Sequence, residues 1–356
     1  MKADAKPSWK KIPIPLQRDK KKMYLAIEIG GTKLQLAVGS GQGPPLVELC
    51  RLEVDRSRGA KGIREQIAQA APALIQKHRV RAIGIGFGGP VDPTTGRTLR
   101  SHHVEGWTDF PLVDWCRETL GLPAALGNDA DMAGLGEARF GAGRGAKVCF
   151  YSNVGTGIGG ALVIGGRLYT GSAGVACEVG HLRPGLDCIE PEQNLESLAA
   201  GWGIEAAIRQ LVQGDWESPW GRQWADQGAD RLDSDRADLL ERAGGQADRL
   251  TARHVAEAAA AGNLLAKTVW DRACQAYGWA LAQVITLIAP DVVVLGGGVS
   301  LAGEELFLKP VRAYVHRYVF PPLRETFRIV PAALGEEVVL HGALALAADA
   351  VAGSNP

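Results

Sequence analysis

Three things are missing from this 356-residue sequence, and each absence excludes a class of protein. No apolar run is long enough to span a membrane, and the lysine-rich start, Met1 to Lys22, lacks the apolar core of a secretory signal. Lys plus Arg and Asp plus Glu both number 39, so no net charge attracts nucleic acid or an anionic membrane. The six cysteines contain no Cys-x-x-Cys pair, which argues against a disulfide framework or a cysteine zinc cage. We therefore expect a cytoplasmic protein that binds neither nucleic acid nor membrane, with residues 1–22 forming a basic flexible tail.

What is present is an alternation of strand and helix patterns from Tyr24 onwards. An amphipathic helix pattern from Gly62 to His78 precedes a strand pattern from Ala82 to Phe87, an order that favours an α/β fold. The strand-turn-strand pattern at the start recurs between Val148 and Tyr169, which indicates an internal duplication. The sequence thus predicts two α/β units that face each other across a ligand cleft.

Glycine turns end three of the predicted strands. They are Gly30, Gly31, Thr32 and Lys33 in the first, Gly155, Thr156 and Gly157 in the second, and Gly296, Gly297 and Gly298 in the third. Glycine lets backbone N–H groups come close to phosphate oxygens, so each turn is a candidate for binding phosphate. Taken alone, a Gly-Gly-Thr hairpin with no ligand is the commoner object.

A second motif, Asn128-Asp129, stands before a helix pattern that is rich in small residues. A helix N-cap alone would explain these two residues. The positive end of the helix is predicted to lower the pKa of Asp129. In phosphoryl transfer, such a carboxylate can orient an acceptor hydroxyl and take its proton.

A third cluster combines Glu178 and His181 with the later Glu196. A carboxylate accepts hydrogen bonds from adjacent sugar hydroxyls, and a neutral imidazole can donate and accept, although the same spacing is common on ordinary helices. Cys188 is the only other soft ligand near His181, so no structural zinc is predicted. Magnesium that arrives with a nucleotide needs only one or two carboxylates, such as Glu28 or Asp129.

The stretch from Gln213 to about Leu250 differs in composition from the rest of the chain. Trp216, Trp220 and Trp224 are four residues apart, a stripe that more often serves packing or a subunit contact than a ligand. We interpret the stretch as an insertion, and we expect a long helical region from Val255 to Ile288 after it.

Taken together and in this order, the motifs resemble the ROK family of bacterial sugar kinases, in the actin-like ATPase superfamily, over about residues 24–348. The motifs that carry the resemblance are Glu28-x-Gly30-Gly31-Thr32-Lys33, Gly86-x-Gly88-Gly89-Pro90, Asn128-Asp129-Ala130, Gly155-Thr156-Gly157, Glu178-Val179-Gly180-His181, Leu195-Glu196 and Gly296-Gly297-Gly298. The resemblance implies two actin-like (ribonuclease H-like) α/β domains. Residues 23–127 with about 340–356 would form the smaller domain, and residues 128–339 the larger one, with an insertion at about 213–250.

The resemblance also implies roles for individual residues. Asp129 would be the general base on the sugar hydroxyl at carbon 6, and the sugar contacts would be Gly89, Asn128, Asp129, Glu178, His181 and Glu196. The first two glycine turns would hold the phosphates of ATP, which brings Mg²⁺, and the third would lie by its adenosine. A homodimer is expected.

Three departures from the family pattern concern the site. Glu28 stands where most members carry Asp, the family's zinc loop Cys-x-Cys-Gly-x-x-Gly-Cys is absent, and His103 stands where many members have an Asn near the sugar. The leading hypothesis is an ATP-dependent hexokinase of the glucokinase type. The alternatives are a kinase for fructose, mannose or an N-acetylhexosamine, with ATP, ADP or polyphosphate as donor. Outside enzymes they are a sugar-responsive transcriptional regulator and a catalytically inactive sugar-binding protein.

Overall fold

The computed structural model describes residues 22–100, 104–186, 188–214 and 229–353. His103, the three tryptophans Trp216, Trp220 and Trp224, and nearly all of the basic tail lie outside these ranges. Within them, no helix combines the length and the apolar character that crossing a membrane requires.

The described strands are β1 (Tyr24–Ile29), β2 (Lys33–Gly39), β3 (Glu48–Glu53), β4 (Ile83–Phe87), β5 (Val91–Asp92), β6 (Arg97–Thr98), β7 (Ala124–Asn128), β8 (Val148–Val154), β9 (Ile158–Ile164), β10 (Arg167–Tyr169), β11 (Val292–Gly296) and β12 (Arg328–Pro331). The described α-helices are α1 (Gly59–His78), α2 (Leu112–Leu120), α3 (Asp129–Phe140), α4 (Leu195–Ala199), α5 (Gly201–Val212), α6 (Ala229–Arg242), α7 (Ala252–Ala261), α8 (Leu264–Ile288), α9 (Lys309–Tyr318) and α10 (Val338–Ala352).

Two five-stranded sheets have the same strand order, as the repeated motif predicts. The first is β3-β2-β1-β4-β7 and the second is β10-β9-β8-β11-β12. In each sheet an antiparallel three-stranded meander is extended by two parallel strands. The predicted α/β class is confirmed, and the domain bounds stay a prediction.

The sheet register brings the sequence motifs to one edge of each sheet. In the first sheet Ile29 pairs with Phe87, and Phe87 pairs with Asn128, so the first glycine turn and the Asn128-Asp129 motif follow neighbouring parallel strands. In the second sheet Asn153 pairs with Gly296, so the second and third turns also start side by side. Open α/β sheets bind ligands at such carboxyl ends.

The predicted helical region from Val255 to Ile288 contains two helices, α7 and α8. Gly262, with a φ of 100°, ends α7 in the left-handed conformation, and the Asn263 side chain then accepts a hydrogen bond from the Ala266 N–H to cap α8. The insertion reaches this junction through α6. Asp235 accepts from the Leu264 N–H, and Asp238 accepts from the Asn263 amide.

One fully buried carboxylate, Glu137 on α3, ties this helix to two other segments. Its Oε2 accepts from the Ala142 N–H at 2.7 Å, and its Oε1 accepts from the N–H groups of Ala333 and Leu334 at 2.8 Å each. Glu137 therefore fixes α3, the helix that begins at Asp129, against the segment that leads into α10.

Replacing Glu137 by Gln should destabilise the protein by about 1–3 kcal/mol, because one amide end cannot accept and would face an N–H group. Urea denaturation measures the change, with the exposed Glu118→Gln on α2 as the matched control. A loss no larger than the control's would show that Glu137 does not anchor α3.

Candidate functional site

The site is built around Asp129, the first residue of α3. Asn128 is the N-cap, and its Oδ1 accepts from the Ala130 N–H at 2.8 Å while its Nδ2 donates to the Gly89 carbonyl at 2.9 Å. Asn128 thus joins the helix start to the glycine segment after β4 and retains one amide N–H for a ligand. A methyl group added at Gly88 would lie 3.5 Å from Asp129 Oδ2 and 3.7 Å from the Gly30 Cα, so the carboxylate adjoins the first glycine turn.

The predicted lowering of the Asp129 pKa is wrong. The Ala130 N–H does donate to Asp129 Oδ1 at 2.8 Å, and this bond does lower the pKa. Burial outweighs it, however, and with the nearby Glu28 and Glu178 carboxylates it raises the pKa of Asp129 to about 6. Asp129 therefore takes up a proton close to neutral pH, which suits a general base.

A network that the sequence analysis missed surrounds Glu28, on β1 beside the first glycine turn. Gln35 Nε2 donates to Glu28 Oε2 at 2.7 Å, Arg51 Nε donates to Gln35 Oε1 at 2.9 Å, and Lys33 Nζ lies 3.4 Å from Glu28 Oε1. Burial raises the pKa of Glu28, and the Lys33 ammonium opposes that rise. Thr32 and Lys33 are exposed at the turn, as a phosphate contact requires.

The second glycine turn lies against Glu196. Glu196 Oε1 accepts from the Ile158 N–H at 2.6 Å, and a methyl group added at Gly157 would lie 2.5 Å from that same oxygen. The turn is also closed by the Gly155 N–H, which donates to the Gly157 carbonyl at 2.9 Å. A larger residue at 157 would push the Glu196 carboxylate away from the turn.

Glu178 and His181 occupy a short helical turn, Val179–His181, with Glu178 at its start. Both are exposed. Partial desolvation raises the pKa of the Glu178 carboxyl, the nearby Glu196 raises it further and His181 lowers it. The same Glu178 carboxylate helps to raise the pKa of Asp129, so the structure brings Asp129, Glu178, His181 and Glu196 into one electrostatic neighbourhood.

Asp131, two residues after Asp129, also belongs to this neighbourhood, and the sequence analysis gave it no role. Burial, helped by Glu178 and Asp129, raises its pKa to about 7. It lines a cavity of 230 Å³ together with Arg139 and Arg167.

A cleft of 940 Å³ opens beside the second and third glycine turns. Its lining includes Gly155, Thr156, Trp202, Gly298, Val299 and Ala302. Gly297 has a φ of 87°, and a methyl group there would lie 2.4 Å from the Val154 carbonyl, so the third turn packs tightly on the end of β8. The cleft is large enough for a nucleotide whose phosphates point toward the turns.

The described residues of the loop between His181 and Glu196 do not fit a zinc ion. Cys188 is the loop's one cysteine. Across the part of the chain that the structure describes, no three His, Cys, Asp or Glu side chains are grouped closely enough to hold a metal ion. A structural zinc needs four such ligands.

Comparison with known proteins decides the family. The ROK family profile matches residues 24–350. The chain belongs to the ROK family. A glucokinase of Halalkalibacterium halodurans is 32% identical over 329 residues, which cover 90% of this chain and 93% of that protein. Among solved structures, a ROK family glucokinase from Streptomyces griseus in complex with glucose and AMPPNP is 30% identical, with a TM-score of 0.73 over 92% of this chain and 99% of that one.

Two further structures show how widely this ROK fold is used. A ROK hexokinase from Thermus thermophilus has a TM-score of 0.74 and 29% identity, and the match covers 93% of this chain and all of that one (100%). A ROK family transcriptional regulator has a TM-score of 0.69 at 19% identity over 92% of this chain and 78% of its own, which shows the fold alone. The actin-like fold and the membership of the ROK family are therefore confirmed, and the activity has to be argued from the site.

Proposed function

We propose that this ROK protein is an ATP-dependent hexose kinase of the glucokinase type. The observation that carries the proposal is the partly buried Asp129 carboxylate, which adjoins the first glycine turn and shares its electrostatic neighbourhood with Glu178. The glucokinase relatives and the glucose and AMPPNP in the S. griseus structure support the choice of sugar and donor.

In the proposed reaction Asp129 accepts the proton of the hydroxyl at carbon 6 while that oxygen attacks the terminal phosphorus of ATP. The bond from phosphorus to the bridging oxygen breaks, ADP leaves, and the products are the sugar 6-phosphate and ADP. Asn128, through its free amide N–H, and the carboxylates of Glu178 and Glu196 hold the remaining hydroxyls, with Gly89 and His181 beside them. The turns at Gly30–Lys33 and Gly155–Gly157 hold the phosphates, and Gly296–Gly298 borders the adenosine.

Magnesium bound to the nucleotide would offset the negative charge of the phosphates. The buried carboxylate of Glu28, at the first turn, has the oxygen donors that Mg²⁺ prefers and fits a contact through water. We propose no metal ion other than this nucleotide-bound magnesium.

The test is a coupled assay of ADP formation with a panel of glucose, fructose, mannose and N-acetylated hexosamines. Glucose should give the highest kcat/KM, and parallel reactions with ADP and polyphosphate identify the donor. ADP formation that does not depend on sugar would contradict the proposal, and a better acceptor in the panel would replace glucose. Sedimentation of the purified protein tests the proposed homodimer.

Glu196→Gln should raise the KM for the hexose by roughly tenfold, because a Gln oxygen can still accept from the Ile158 N–H while the charge that binds sugar hydroxyls is lost. The KM for ATP should change little. The measurement is steady-state kinetics with each substrate varied, and the exposed Glu118→Gln is the control. If the KM for ATP rises instead, Glu196 serves the nucleotide through the Gly155–Gly157 turn.

A further inference from the structure

A single guanidinium gathers the loop that separates His181 from Glu196. The two N–H groups of Arg183 Nη1 are shared among the carbonyl oxygens of Cys188 at 3.0 Å, Glu190 at 2.5 Å and Gln193 at 3.3 Å. Arg183 Nη2 reaches the Pro191 carbonyl at 3.5 Å. Four carbonyl groups from residues 188–193 therefore accept hydrogen bonds from the guanidinium of Arg183, near the start of the loop.

The described part of this loop has little else to shape it. Leu186 is 98% exposed and Ile189 is 77% exposed, so the loop builds no apolar core of its own. Its other described contacts are local turns, such as the Glu190 N–H donating to Gln193 Oε1 at 3.1 Å. Arg183 is itself exposed, but hydrogen bonds from a charged donor are about twice as strong as neutral ones, so its cluster is the strongest set of contacts described within the loop.

The base of the loop connects the Arg183 contacts to two proposed sugar contacts, His181 and Glu196. The Leu195 N–H donates to the Leu182 carbonyl at 2.8 Å, which closes the loop. Asn194 caps α4 by accepting from the Ser197 N–H at 3.1 Å, and Glu196 lies in the first turn of that helix. Arg183 is two residues from His181, and its acceptor Gln193 is three residues from Glu196.

We propose that Arg183 is a positioning residue, which fixes the spacing of His181 and Glu196 by holding the loop through its carbonyl groups. A guanidinium suits this task because its five N–H donors lie in one rigid plane, and four carbonyl oxygens of the loop lie within their reach. The proposal rests on the proposed function for its effect on sugar binding. Its effect on the loop does not depend on that function.

The kinetic test compares Arg183→Ala and Arg183→Lys with Arg117→Ala, a control that removes an exposed arginine paired with Asp114 on α2. Arg183→Ala should raise the KM for the hexose roughly 10- to 100-fold, since small displacements of positioning groups are costly. The kcat and the KM for ATP should stay within about threefold, as expected when ground-state binding is lost. The hexose KM of Arg183→Lys should lie between those of the wild type and Arg183→Ala, because an ammonium group donates hydrogen bonds but lacks the planar fork of a guanidinium.

The second measurement is limited proteolysis with proteinase K, with cleavage sites mapped by mass spectrometry. Cleavage between residues 184 and 193 should be roughly tenfold faster in Arg183→Ala than in the wild type or the control, because proteolysis follows local opening. EDTA should leave the wild-type rate unchanged, and thermal unfolding should show no larger loss than Arg117→Ala. Stoichiometric bound zinc, or cleavage that EDTA accelerates, would overturn the proposal.

An unchanged hexose KM in Arg183→Ala overturns the positioning role, whether or not cleavage is faster. A general loss of stability that raises both KM values equally also overturns it. If the wild type phosphorylates no hexose, the proposed function has failed, and the cleavage rates alone then decide whether Arg183 holds the loop.

Discussion

Asp129→Asn is expected to lower kcat by about 10²–10⁴-fold, which is the usual contribution of a general base. The amide keeps an oxygen that can accept from the Ala130 N–H, so α3 should start as it does now. The KM for the hexose should change much less, because Asn128, Glu178 and Glu196 remain. Steady-state kinetics on glucose measures both constants.

The pH dependence of the same variant gives a sharper test. Because the pKa of Asp129 is raised to about 6, wild-type kcat/KM should fall tenfold per pH unit below that value, as the base becomes protonated. The residual activity of Asp129→Asn should lack this acidic limb.

Asp129→Asn should gain stability while it loses activity. A carboxyl group whose pKa is higher in the folded protein than in the unfolded chain binds more protons when folded, so stability falls as the pH rises from about 4 to 6. Asp129→Asn should therefore be more stable than the wild type at pH 8, by about 1–3 kcal/mol, and the gain should vanish near pH 3. The control is Asp114→Asn, an exposed carboxylate on α2, which should change neither property. A variant that retains activity, or that loses stability at pH 8, would show that Asp129 is not a base with a raised pKa.

The position of Asp129 at a sheet edge follows from where the strands end. Apolar runs that stop at glycine or at Asn-Asp indicate strand ends, and the register at Ile29, Phe87 and Asn128 brings those ends to one edge of the first sheet. The pKa could not be predicted in the same way. The local sequence identifies the helix N-terminus, which lowers the pKa of Asp129. The burial and the Glu28 and Glu178 carboxylates that raise this pKa come from distant segments of the chain.

The Glu28 network had a signal in the sequence that was not used. Gln35 interrupts the apolar run of β2 and is 1% exposed, and a buried polar residue in a strand requires a partner. Glu137 had no comparable signal, because the N–H groups that donate to it lie far away in sequence at Ala333 and Leu334. The proposed role of Arg183 could not be predicted from the sequence either, because its acceptors are backbone carbonyl groups, which every residue carries.

Gly342→Ala is expected to have the largest effect on stability. Helix α10 passes between α3 and the first sheet, and a methyl group at Gly342 would lie 1.8 Å from the Met132 carbonyl oxygen and 2.5 Å from its carbon. On the other side of α10, a methyl group at Gly84 of β4 would lie 1.8 Å from the Ala343 carbonyl oxygen. The obstacle on both sides is backbone, so no side-chain rotation can relieve it, and α10 would have to move as a unit.

The expected cost of Gly342→Ala exceeds about 4 kcal/mol, the range reached only by severe overpacking or loss of a buried network. Urea denaturation gives the value, and loss of soluble protein would be the extreme form of the same result. The matched control is Gly185→Ala, where an added methyl group meets nothing within 4 Å and should change stability by less than about 0.5 kcal/mol. Because α3 carries Asp129 at its start, any Gly342→Ala protein that does fold should also lose activity, whereas a variant with wild-type stability would mean that α3 and α10 lie farther apart than the structure shows.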